Sequence, residues 1–128
     1  TGTHDNNTTL GWYLDMVRAE TRGASDPMGQ PVQGATRYHQ HMASFWRLDE
    51  RRQMNVPWDL LELALSAASS VAGVPIADIL RLGAEARVNL PGDVSRPWWD
   101  WRARREELED AALAPALRRL NDHYGRAG

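Results

Sequence analysis

At 128 residues, 42% hydrophobic and 25% charged, the chain has the length of one domain and the composition of an ordinary soluble globular protein. A formal net charge of −2 gives no electrostatic reason to expect nucleic acid or an anionic membrane as partner, and no apolar run is long enough to span a bilayer. Cysteine is absent, which excludes disulfides and thiolate metal sites.

The first stretch, Thr1 to Trp12, packs His4, Asp5, Asn6 and Asn7 into four consecutive positions just ahead of an amphipathic run. Two readings are open. Asp5, Asn6, Asn7, Thr8 and Thr9 are all N-cap candidates, and such density at a loop-to-helix junction is also where catalytic side chains are displayed. From Thr9 to about Glu20 the apolar residues Leu10, Tyr13, Leu14 and Val17 recur at helical spacing, with Gly23 as the expected C-cap glycine. Residues 23–36, rich in glycine and proline, read as an exposed loop.

A second helix is predicted from Tyr38 to about Leu48, with Met42, Phe45 and Trp46 as its apolar residues. His39 and His41 are two apart and face different sides of a helix, so both read as surface or packing histidines rather than a metal pair. Asp49 to Arg52 reads as a solvated helix end. Asn55, with Pro57 in the first turn, opens a third helix whose expected buried face is Leu60, Leu61, Ala64, Leu65 and Ala68.

Ser70 to Ile76 is uncharged and bounded by serines and Pro75, and it is the one strand candidate, of the kind found inside a parallel sheet. Asp78 to Leu82 suggests a single helical turn closed by Gly83, followed by an irregular polar run to Pro97. A final helix is predicted from about Trp99 to Arg126, with Leu108, Ala112, Leu113, Leu117, Leu120 and Tyr124 on its buried side and Pro115 dividing or bending it. One strand cannot make a sheet, so the order of elements is that of an α/β protein with most strands outside the chain. The chain therefore reads as the tail of a larger domain. All 15 basic residues are arginine, which with the alanine richness suggests a GC-rich coding sequence. Trp98, Trp99 and Trp101 cluster, as packing residues or as indole faces for sugar rings.

With that order established, four motifs resemble the 4-α-glucanotransferases, the amylomaltase or disproportionating-enzyme family related to the α-amylases. Thr1-Gly2-Thr3-His4-Asp5-Asn6 with Thr8 and Gly11-Trp12 resembles the segment after the seventh barrel strand. Val56-Pro57-Trp58 resembles the opening of the next helix, and Val74 to Leu80 with Leu82 to Gly92 the stretch around and after the eighth strand. Trp99-Asp100-Trp101-Arg102 is similar to the Trp-x-Trp-Arg that begins the last helix. The departures are Asn7 where an acid is usual, Ala77 for glutamine, Arg81 for glycine and Val88 for methionine. The run from Gly92 to Trp99 is one residue longer than typical, with Pro97-Trp98 in place of Gly-Asn.

The resemblance implies an α/β fold: the C-terminal part of a (β/α)8 TIM barrel, from the end of strand 7 through the final helix and mostly helical. Residues 1–128 would be one fragment of a catalytic barrel domain with no separate second domain. It implies a cytoplasmic enzyme of carbohydrate metabolism that transfers a 1,4-α-glucan segment to a 4-hydroxyl of an acceptor, with retention, through a glucosyl-enzyme intermediate. The implied partners are a maltooligosaccharide or α-1,4-glucan substrate and the N-terminal part of the same barrel, with no nucleic acid, membrane, cofactor or metal. Asp5 matches the third carboxylate, the transition-state stabiliser, and His4 its neighbour. An ionised carboxylate accepts with two oxygens and so suits a pair of vicinal sugar hydroxyls.

Asn89 and Pro91 lie where the family's loop approaches the glucan. Asn89 could bond a sugar hydroxyl or hold its own loop backbone. Trp12, Trp99 and Trp101 are expected to be structural, the latter two packing the final helix onto the barrel. The nucleophile and general acid/base are expected upstream, so the chain alone is expected to lack transglycosylase activity. A non-catalytic glycan-binding module and a helical interaction scaffold are the rival readings.

Overall fold

A computed structural model describes residues 2–46 and 55–126, the side chains of Phe45 and Trp46 apart. The expectations for Asp49 to Arg52, for the end of the second helix at Leu48, and for Phe45 and Trp46 as apolar residues of that helix fall outside what is described. The elements are six helices, α1 (Thr9–Thr21), α2 (Gly34–Trp46), α3 (Val56–Ser66), α4 (Ile76–Ile79), α5 (Arg105–Leu108) and α6 (Leu113–His123), with a 3-10 turn at Ala84–Ala86. Among the described residues there is no strand, only an isolated bridge between Ser25 and Pro31. The predicted strand at Ser70–Ile76 is corrected: residues 70–75 form no strand, and Ile76 opens α4. A strand exists only beside another strand, and the described residues contain none.

The centre is built by α1, α2 and α3. Tyr38 and Met42 of α2 and Val56 of α3 are buried together, with Tyr13, Met16 and Leu60 packed around them. The α1 and α2 axes approach closely at Gly34, where an added Cβ would lie 2.9 Å from the Met16 sulfur. Glu20, at the end of α1, reaches the start of α2 and accepts from the Ala35 and Thr36 amides at 3.0 and 3.2 Å and from the Thr36 hydroxyl. One side chain thereby serves N–H groups that a helix start leaves without intrahelical partners. His39, expected as a surface or packing residue, packs: its Nε2 is 2.6 Å from the Tyr13 hydroxyl, while His41 is exposed.

Three helices end in the same way. In α1, α4 and α6 the residue after the cap is left-handed, and paired bonds close the last turn: Gly23 N to Glu20 O with Ala24 N to Ala19 O, Arg81 N to Asp78 O with Leu82 N to Ala77 O, and Gly125 N to Asp122 O with Arg126 N to Asn121 O. This Schellman geometry favours glycine at the left-handed position, and two of the three have it. The third is Arg81, at φ 60°, one of the positions that depart from the family pattern. Its guanidinium carbon lies 4.4 Å above the centre of the Trp58 ring, a cation–π contact that offsets part of the αL strain.

Several helix boundaries differ from expectation, beginning with α2, which starts at Gly34, inside the predicted 23–36 loop and ahead of the expected Tyr38. Asn55 sits at the N-cap of α3, but its side chain accepts no helix amide. Instead its own N–H donates to Asp59 Oδ2 at 3.1 Å. Asp59, 1% exposed, is buried, as are Leu61 and Leu65, whereas Ala68 lies outside the helix and is exposed. The long C-terminal helix is two short ones, since 99–104 are not helical and the chain turns at 109–112. Pro115 occupies the first turn of α6, where it breaks no internal bond, so the division precedes it. No α6 residue is fully buried, and Leu108 and Ala112 are exposed. The end of the chain is tied down by polar contacts instead. Arg126 donates to the carbonyls of Leu65, Ala67 and Ser69 at 3.0, 2.6 and 2.6 Å, and Tyr124 to Glu62 at 3.1 Å.

Candidate functional site

The N-terminal turn is built upward from the start of α1. Thr8 is the N-cap: its hydroxyl accepts from the Gly11 amide at 3.0 Å. Asn7 folds back over the first turn, accepting from Thr8 N at 2.9 Å and donating to Asp15 at 3.0 Å. Any Cβ at Gly11 would come within 2.5 Å of the Asn7 amide oxygen, so the glycine makes room for this fold-back. Asn6 is held by Thr3, backbone to backbone at 3.1 Å and side chain to side chain at 2.8 Å. Capping and turn closure are therefore done by Thr3, Asn6, Asn7 and Thr8. His4 and Asp5 take no part in either.

The base of the turn is anchored from far along the chain. Asp78, 3% exposed, accepts from the Thr9 amide at 2.7 Å and the Thr9 hydroxyl at 2.8 Å. A carboxylate on the first amide of α1 satisfies an otherwise unpaired donor and sits favourably in the helix dipole. The contact fixes where α1 begins relative to α4.

His4 and Asp5 stand at the rim, their side chains 57% and 45% exposed. His4 Nε2 is 3.3 Å from Asp5 Oδ1, and the Asn89 amide donates to the same oxygen at 2.6 Å. Among the described residues, no side chain or amide donates to Asp5 Oδ2. Of the two roles open to Asn89, holding its own loop backbone is not the one seen: its side chain donates to the Asp5 carboxylate. Arg87 joins the two segments, donating from Nη2 to the Asp5 carbonyl and from Nε to the Asn89 carbonyl, both at 2.8 Å. Pro91 is exposed in a turn closed by Asp93 N to Leu90 O at 3.1 Å, where Pro91 and left-handed Gly92 (φ 79°) have the sequence a type II turn requires.

Trp99 corrects a further expectation. It lies in no helix and is 51% exposed, with its ring centre 5.0 Å from that of His4. Its backbone is left-handed at φ 72° and is clamped by Trp99 N to Val88 O at 2.8 Å and Arg102 Nη1 to Trp99 O at 2.6 Å. Trp101 is likewise outside any helix. Trp12, 42% exposed, stands edge-on to Tyr38 at 6.1 Å.

His4, Asp5 and Asn89 are thus brought together from segments more than eighty residues apart, while Pro91 stays at the tip of its turn. The sequence assigned no role at the site to Arg87 or Asp78, and to Thr9 only that of an N-cap candidate. Arg87 was within reach, because in an extended segment residues two apart face the same side, and Arg87 and Asn89 are two apart. A groove of about 530 Å³ opens beside the turn, lined in part by His4, Asn6, Trp12, Ile76, Arg87 and Val88. The Asp5 carboxylate lies next to this groove, through His4 and Arg87, which line the groove and contact Asp5.

A sequence model of the family described as 4-alpha-glucanotransferase matches residues 1–108. The 4-alpha-glucanotransferase of Thermus thermophilus is 36% identical over 126 residues, covering 94% of this chain and 22% of that protein. That of Synechocystis is 30% identical over 126 residues, covering 98% of this chain and 21% of that protein. The chain spans about a fifth of the length of these curated relatives. In fold, the whole chain superposes on 21% of the amylomaltase of Streptococcus agalactiae, solved in complex with acarbose, with a TM-score of 0.72 at 20% identity. With the family pattern matched over residues 1–108, the chain belongs to the 4-alpha-glucanotransferase family.

Proposed function

We propose that residues 1–128 are part of one catalytic (β/α)8 barrel domain, from the end of strand 7 through the final helix, in a cytoplasmic 4-α-glucanotransferase. The enzyme moves a segment of a 1,4-α-glucan to the 4-hydroxyl of an acceptor glucose or glucan with retention at the anomeric carbon. The nucleophile and the general acid/base come from parts of the barrel outside this chain.

Asp5 contributes the third carboxylate. The observation that carries this reading is the asymmetry at Asp5: Oδ1 is held by Asn89 while Oδ2 is open, on a side chain almost half exposed. Oδ2 is positioned to accept from a sugar hydroxyl, and such a contact strengthens as the ring flattens towards the oxocarbenium-like state. His4 donates to a neighbouring hydroxyl. Asn89 and Pro91 form the loop side of the same subsite.

In the full-length protein, Asp5→Asn should lower kcat for glucose release from maltotriose by roughly 10²–10³-fold, the scale of losing one preorganised electrostatic contact. Undiminished transfer by that variant would sink the proposal. Residues 1–128 alone should release no glucose from maltotriose, and release would overturn the placement of the bond-breaking carboxylates elsewhere.

A further inference from the structure

We propose that Arg87 is a positioning residue for the transfer reaction: it sets the direction of the Asp5 carboxylate through two backbone carbonyls, with Asn89 as the arm that pins one oxygen. This rests on the reading of Asp5 given above.

The geometry is a closed loop of contacts. The Arg87 guanidinium donates to the Asp5 carbonyl and to the Asn89 carbonyl, each at 2.8 Å, from two different nitrogens. The Asn89 side chain then spans from its own segment to Asp5 Oδ1 at 2.6 Å. Residues 5 and 89 are therefore fixed twice, once through their backbones by Arg87 and once through their side chains by each other. A planar guanidinium suits this role because its N–H groups are held in one rigid fork, whereas an ammonium offers a single freely rotating centre.

The consequence lies on the open oxygen. With Oδ1 engaged by Asn89 and approached by His4 Nε2 at 3.3 Å, rotation about the carboxylate's own bond is blocked, and Oδ2 is presented in one direction. Removing Arg87 leaves the Asp5 side chain chemically intact but frees the backbone that carries it. Small misplacements of this kind reduce turnover by about 10²-fold without removing a substrate contact. Arg87 touches no reacting atom in this scheme, so its loss should fall on kcat and spare KM.

The test is made in the full-length protein with maltotriose, comparing Arg87→Ala, Arg87→Lys, Asn89→Asp and Asp5→Asn with the parent. Arg87→Ala should lose about 10²-fold in kcat with KM changed less than about threefold. Added guanidinium ion should restore part of the kcat of Arg87→Ala and leave Asp5→Asn unchanged. Arg87→Lys keeps the charge and should fall between parent and Arg87→Ala. Asn89→Asp, nearly isosteric but unable to donate and opposing Asp5 with a second negative charge, should also lose kcat.

Parent-like kcat in Arg87→Lys and Arg87→Ala, with Asp5→Asn inactive, would overturn the positioning role and leave the function of Asp5 standing. Activity lost only in proportion to the unfolded fraction, read from thermal melts, would overturn it too. If Arg87→Ala does not fold, parent-like kcat in both Arg87→Lys and Asn89→Asp is the overturning result. Transfer by Asp5→Asn at the parent rate would overturn the underlying reading and this proposal together.

Discussion

Two carboxylates flank the same short turn and differ in how much of their bonding capacity is used. At the base, Asp78 is buried, and each of its oxygens accepts from Thr9. At the rim, Asp5 is nearly half exposed, and both of its side-chain contacts converge on Oδ1. A buried carboxylate that accepts from its own chain on both oxygens is committed to holding structure. One oxygen held and one free is an arrangement that fixes a direction and leaves a bond to be made. The contrast separates an acid buried against Thr9 from one left open at the rim, although the two carboxylates meet the same short turn.

The sharpest way to break this contrast is to remove each acid in turn. Asp78→Ala leaves the Thr9 amide and hydroxyl buried without their partner, and should lower unfolding free energy by about 2–4 kcal/mol. Asp5→Ala removes a half-exposed acceptor and should change stability by less than about 1 kcal/mol while abolishing transfer. Denaturant midpoints at constant m-value measure both. Equal losses from the two substitutions would show that the base and the rim do not divide the work in this way.

A buried hydroxyl with no partner sharpens the same point from the other side. Tyr38 lies in the core, and its hydroxyl makes no hydrogen bond within the described structure. Burial pushes its ionisation well above the ordinary value of 10.0, and the charge of Asp59 adds to this. A folded-state pKa raised above the unfolded one means stability is fully present below pH 10 and is lost as pH rises beyond it. Tyr38→Phe deletes an unsatisfied group and should gain up to about 1 kcal/mol at neutral pH. The gain over the parent should widen above about pH 10, measured by denaturation across an alkaline series. A variant less stable than the parent at both pH values would mean that the hydroxyl has a partner in the folded protein.

Much of this arrangement was legible in the sequence. The α1 pattern with its Gly23 stop and the single turn near Asp78 rest on local signals of capping and periodicity, whereas the Thr-Gly-Thr-His-Asp motif was read through its resemblance to the 4-α-glucanotransferases. What failed was non-local. The segment at 70–75 has the composition of a buried strand, yet a strand exists only with a partner edge. The apolar spacing from Leu108 to Tyr124 promised a packed helix, but the described chain ties α6 down through Arg126 and Tyr124. At the site, His4 and Asp5 were legible as a motif. Their meeting with Arg87 and Asn89, more than eighty residues away, depends on how α1 and the 84–90 segment pack, which no local spacing encodes.

Glu20 provides the mildest test, because it is a carboxylate with its acceptors used, like Asp78, but placed at the surface. It accepts from the Thr36 hydroxyl and from the Ala35 and Thr36 amides at the start of α2. The Thr36 side-chain bond is the largest influence, and with the backbone bonds it holds the carboxyl below its ordinary value of 4.5 against a smaller opposing effect of burial. A depressed folded-state pKa contributes stability that is present above pH 4.5 and is lost as pH falls through the lower folded value. Glu20→Gln should therefore melt below the parent near neutral pH, and the difference in Tm should close as the pH is lowered towards about 3. Salt should shrink the difference at neutral pH, since an exposed charge at a helix start is screened in a way that a buried one is not. A Tm difference independent of both pH and salt would mean that Glu20 acts through its shape alone. Saturation of a carboxylate would then matter only where water is excluded, as it is at Asp78 and is not at Asp5.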